Sequence, residues 1–152
     1  MLSNMERFDQ LTGAVFARLY EAFPEPIELD AFPFLQDIAP DGQDFETQQE
    51  QAFNAPEFFS YTLRWLAETG YLTHAKQYLG KPSTFEECVL TAKGLEALKA
   101  TPKSIASGKS IGQSLQDAAK NGALESIKKL SGEALSAGVH LAVGVAKAHL
   151  PI

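Results

Sequence analysis

Beyond Pro102 the chain contains no aromatic residue: its last 50 positions are mostly Ala, Gly, Ser, Lys and small aliphatics, while all 10 Phe, 4 Tyr and the single Trp come earlier. Large side chains bury the area that drives folding, so a bulky core is available only to the first two thirds of the 152 residues. Small residues instead let helix backbones approach closely. The shift predicts a compact domain over residues 5–102 and an Ala/Gly-rich helical extension over 103–152. With 45 % apolar and 21 % charged residues, the chain is neither disordered nor fibrous.

The same boundary divides the charge. Residues 1–102 hold 7 of the 13 Lys and Arg against 16 of the 19 Asp and Glu, a balance of −9; residues 103–152 hold 6 against 3, a balance of +3. The overall −6 conceals this split. One cysteine, Cys88, closes no intramolecular disulfide, and Met1 to Gln10 carry no basic, apolar leader. A reducing, cytoplasmic location is the expectation. The longest apolar stretch, Ala134 to Ala146, is interrupted by Ser136 and His140 and is shorter than the roughly 20 residues that span a bilayer.

Apolar positions give the order of elements. Phe8, Leu11, Val15, Leu19, Ala22 and Phe23 recur at spacings of three and four and predict an amphipathic helix, ended by Pro24 and Pro26. Ile27 to Asp30 alternates as a short strand, and Asp30 is placed to cap a helix over Ala31 to Ile38 with Pro33 in its first turn. Residues 39–54 read as a polar loop with one surface helical piece. Asn54-Ala55-Pro56 opens a helix to Thr69 with Phe58, Phe59, Leu63, Leu66 and Ala67 on its buried face, stopped by Gly70. Tyr61 and Trp65 are its candidates for partial exposure. Tyr71 to Leu79 and Thr84 to Leu90 read as strands joined by Gly80-Lys81-Pro82-Ser83, and Thr91 caps a helix over Ala92 to Ala100. Ser104 to Asn121 and Ala123 to Leu150 read as two further helices.

Thr62-Leu63-Arg64-Trp65-Leu66-Ala67-Glu68-Thr69-Gly70-Tyr71-Leu72 and Val89-Leu90-Thr91-Ala92-Lys93-Gly94-Leu95-Glu96-Ala97-Leu98 carry a resemblance to the winged helix-turn-helix domains of bacterial transcriptional regulators. The first is similar to a recognition helix entering a wing, the second to the returning wing strand and the next helix. The likeness covers residues 8–100. It implies an α+β, mostly helical fold: a winged helix-turn-helix domain with a C-terminal amphipathic helical extension. It also implies DNA binding through the 55–69 helix and the 71–91 wing.

The residues themselves favour another use. The face open to a partner is Asn54, Glu57, Ser60, Tyr61, Arg64, His74, Lys76 and Lys81, joined by Glu68 and Gln77. Phosphate neutralisation supplies most nonspecific DNA affinity, and a −9 module with few clustered cations repels a duplex. The expectation is a non-enzymatic winged-helix protein that acts through protein contacts and oligomerisation, with DNA-binding regulation as the alternative. Self-association is assigned to the seam Ile127, Leu130, Ala134, Gly138, Leu141 and Val145, whose small neighbours Ala142 and Ala146 repeat every four positions. Peripheral membrane contact through the cationic amphipathic segment Gly122 to Leu130 is a further alternative.

No motif names a catalytic constellation, metal or cofactor. Gly108-Lys109-Ser110 matches the end of a phosphate-binding loop, but Lys103 stands where its first glycine belongs. Asp37, Asp41 and Gly42 imitate part of a calcium loop, with Ala39 and Gln48 at positions that need oxygen ligands from acidic side chains. His74, His140 and His149 lack the spacing of a helical metal site, and Cys88 reads as a small core residue.

Overall fold

A computed structural model describes residues 2–77, 80–103 and 108–149, with side chains as far as residue 141. The chain is α+β. Helix α1 spans Asn4–Ala22, and its start is fixed by a reciprocal cap in which the Ser3 hydroxyl accepts from the Glu6 amide and the Glu6 carboxylate accepts from the Ser3 amide. Strand β1 (Ile27–Asp30) leads to a single 3-10 turn over Phe32–Phe34 and a four-residue helix α2 (Leu35–Ile38). The expected continuous helix over 31–38 is thus broken in two. Asp30 ends the strand instead of capping, because its backbone pairs with Thr84.

Helix α3 (Phe45–Phe53) is the surface piece expected in the polar stretch, capped by the Asp44 carboxylate on the Thr47 amide. Helix α4 (Ala55–Glu68) follows at once, with Pro56 in its first turn. Strand β2 is only Leu72–Thr73, shorter than the expected Tyr71–Leu79, whose last two residues lie outside the described residues. Beyond Thr73 one backbone bond, Ala75 to Glu86, continues the hairpin. Strand β3 (Thr84–Leu90) is as expected and is central, giving an antiparallel sheet of order β1-β3-β2.

Helix α5 (Ala92–Lys99) is capped by Thr91, whose hydroxyl accepts from the Gly94 amide. Helices α6 (Ile111–Asn121) and α7 (Leu124–His149) close the chain. The expected start of α6 at Ser104 falls partly on residues outside the description; the helix begins at Ser110, whose hydroxyl caps Gln113. Gly122 joins α6 to α7 at φ +64, a left-handed conformation that glycine adopts without steric cost.

Helix α1 lies at the centre, with α6 and α7 against one side and α2, α4 and the sheet against others. One apolar cluster therefore joins Leu11, Val15 and Phe16 both to Phe59, Leu63, Leu66 and Phe85 and to Ile111, Leu115, Ile127, Leu130 and Ala134. The change in composition at Pro102 does not interrupt this core. Small residues permit the approach: a Cβ on Gly13 would stand 2.4 Å from Cγ2 of Ile127, and one on Gly138 would stand 2.4 Å from Cε1 of Tyr71. Four of the six residues of the expected subunit seam are accordingly used within the chain. Ile127, Leu130 and Ala134 are buried in its own core and Gly138 faces Tyr71; Leu141 is exposed, and the side chain of Val145 lies outside the described residues.

Candidate functional site

The face assigned to partner contact is only partly assembled as expected. Asn54, Glu57, Tyr61, Arg64, Lys76 and Lys81 are exposed. The guanidinium of Arg64 stands 6.0 Å from the Tyr61 ring centroid, on the outer face of α4. Ser60 is instead buried: its hydroxyl donates to the Pro82 carbonyl and ties α4 to that residue, so it is unavailable to a partner. His74 is half-buried, edge-on to Phe85 at 4.9 Å, with Nδ1 against the Ala75 carbonyl oxygen. Pro82 against α4 and His74 against Phe85 of the sheet thus cover positions that a free-standing wing would expose.

Aromatic exposure is concentrated in residues 32–65. Phe32, Phe45, Phe53, Tyr61 and Trp65 all lie in this stretch, and Phe53 is 85 % exposed. Phe45 and Phe53 are the two ends of α3, a helix with no buried residue. Trp65 meets Phe8 edge-on at 5.4 Å, and with Met5, Phe58, Tyr61 and Leu135 these rings line an open apolar groove of about 770 Å3 between α1, α4 and α7.

Next to the groove, and sharing Asn4, Phe58 and Tyr61 with it, is a cleft of about 490 Å3 between the start of α1, α3 and the start of α4. Arg7 lines it and is buried. Its Nε donates to the Ile38 carbonyl, Nη1 donates to Asn4 Oδ1 at 3.1 Å, and the guanidinium lies 4.2 Å from the Phe58 ring centroid. Among the described residues no carboxylate forms an ion pair with it. Burial lowers its pKa from the usual arginine value, with no opposing charge to restore it. Sequence reasoning passed over Arg7. The available signal was its place four residues before Leu11, on the apolar face of α1.

Other reactive groups are spent on structure. Cys88 is fully buried and its thiol donates to the Phe85 carbonyl at 3.3 Å; burial, partly offset by a backbone hydrogen bond from Leu29, pushes the thiol up to about 12. Burial also raises the Asp37 carboxyl to about 6. The described residues contain no group of three His, Cys, Asp or Glu able to hold a metal, and no described helix is long and apolar enough to cross a membrane. Lys128 joins the basic C-terminal region to α1 through Glu6 at 3.2 Å. Comparison with protein-family models, curated proteins and solved structures found no match to this chain.

Proposed function

We propose that this chain is a non-enzymatic, winged-helix-like binding module that works through protein contacts, including self-association. Support for the winged-helix reading comes from the order helix, strand, helices, strand, strand, together with a sheet in which the last strand lies between the other two.

The observation that carries the protein-contact reading is α3, which presents Phe45 and Phe53 to solvent while burying nothing of its own. Exposed aromatic side chains grouped on one surface are characteristic of protein interfaces, where they supply most of the binding energy. A duplex would meet Glu57 and Glu68 beside Arg64 on α4, a poor surface for phosphates. With Ile127, Leu130 and Ala134 inside the chain, self-association falls to α3 and to the exposed part of α7 near Leu141.

Sedimentation equilibrium of the wild-type chain and of the Phe45→Ser, Phe53→Ser double variant tests this, alongside DNA mobility shift at low salt. The wild type is expected to exceed the monomer mass, the variant to return to it with its circular dichroism unchanged, and neither to bind DNA. A monomeric wild type, or a salt-sensitive DNA complex, overturns the reading.

A further inference from the structure

We propose that the Arg7 cleft and the adjoining groove form one binding site for an amphiphilic monocarboxylate, with the carboxylate held by Arg7 and the apolar body lying in the groove against Phe58, Tyr61 and the Phe8–Trp65 pair. The site does not use Phe45 or Phe53, the exposed α3 side chains to which self-association is assigned.

The argument begins with the cost of burying a charge. A cation removed from water is stabilised by an opposite charge or by a full set of hydrogen bonds. Arg7 is 6 % exposed, yet its described partners are a carbonyl, an amide oxygen and a ring face. Its third nitrogen, Nη2, has no hydrogen-bond partner among the described residues. It is also not one of the fully enclosed unpaired atoms, which are Gln10 Oε1, Thr12 Oγ1 and Ser131 Oγ, and Arg7 lines the cleft. A guanidinium that lines a cavity with a donor left unpaired is matched by a carboxylate or a phosphate.

The surroundings select between the two. Glu50 and Glu57 also line the cleft, and Asp9 the groove, so a dianionic phosphate is repelled more strongly than a single carboxylate. Phe58 has its ring against the Arg7 guanidinium and lines both cavities, so a ligand bound at Arg7 continues directly onto apolar surface. Trp65, the chain's single tryptophan, also lines the groove. A chain of methylenes or a small ring system fits such a surface, as does the apolar terminus of a peptide. The shared chemistry is a carboxylate attached to an apolar body.

The test compares decanoate with decanol below their micelle or solubility limits. Binding is read by Trp65 fluorescence and by the Arg7 Nε–H resonance of the full chain. Decanoate is expected to produce saturable changes in both and to bind at least about tenfold more tightly than decanol, with Arg7→Gln reducing it to the level of decanol. Should Arg7→Gln lose its fold by circular dichroism, the Glu50→Gln, Glu57→Gln variant decides: it is expected to tighten decanoate binding several-fold and leave decanol unchanged. Equal binding of decanoate and decanol to the wild type, or no effect of removing both rim acids, overturns the proposal. An apolar peptide that displaces decanoate with a free C-terminus but not with an amidated one assigns the carboxylate to a chain end; absence of displacement assigns it to a free amphiphile.

Discussion

The hydroxyl of Tyr71 donates to the carbonyl of Leu135 at 2.7 Å, joining the residue just before β2 to a helix residue 64 positions later. The ring fills the space left by Gly138, meets Phe16 at 5.8 Å and lies 4.4 Å from Lys93 Nζ. Tyr71 is thereby a hub between the hairpin, α1, α5 and α7.

Gly138→Ala is expected to destabilise the chain by about 1 to 3 kcal/mol, because its Cβ would overlap the Tyr71 ring, which is packed on several sides. Tyr71→Phe keeps the ring and removes only the hydroxyl, and is expected to cost about 1 kcal/mol. Urea unfolding of both variants checks the order; a Tyr71→Phe loss larger than that of Gly138→Ala would contradict it.

Thr91→Ala removes two bonds at the junction of β3 and α5: acceptance from the Gly94 amide and donation to the Gly70 carbonyl. The expected loss is about 1 to 2 kcal/mol, the usual cost of deleting a helix cap. Thr91→Ser restores both bonds and is expected to recover most of it, measured by thermal unfolding.

Asp37 gives a pH dependence of unusual sign. Its folded carboxyl titrates near 6, above the unfolded value of 3.8, because burial disfavours the charged form. Its contribution is therefore most favourable below the unfolded value and is lost as pH rises through about 6. Asp37→Asn is expected to stabilise the chain by about 2 kcal/mol at neutral pH, an upper figure for a half-buried group, and to change little at pH below about 4. Denaturant titrations at the two pH values measure the difference.

Cys88, fully buried with its thiol held near 12, is expected to resist a thiol reagent in the native chain and to react at the rate of opening. Stopped-flow labelling across denaturant concentration follows this. Rapid labelling without denaturant would show that β3 opens locally.

Much of the framework could be read from periodicity and punctuation. Pro24, Gly70, Thr91 and Gly122 mark ends that a single residue's backbone preference decides, and α1, α4, β3 and α5 lie where those residues place them. The break between the 3-10 turn and α2 was not legible, because pairing of Asp30 with Thr84 depends on a strand 54 positions away. The burial of Ser60 depends in the same way on Pro82. The seam at Ile127, Leu130 and Ala134 was correctly apolar, but periodicity does not state whether a stripe meets its own chain or a second copy. Arg7 was missed because a cation on an apolar face is read as solvent-exposed until its neighbours are known.

Helix α1 is enclosed by elements from both ends of the sequence, with Gly13 against Ile127. During synthesis its side toward α7 stays wet until Ile127, more than a hundred residues after Gly13, has been made, so a helix synthesised before the rest of this core is among the last of its elements to be fully covered. Contacts of such long sequence separation slow folding and leave apolar surface open to chaperones or to neighbouring chains in the interval. Stop codons or cleavage between α5 and α6 would make that interval permanent.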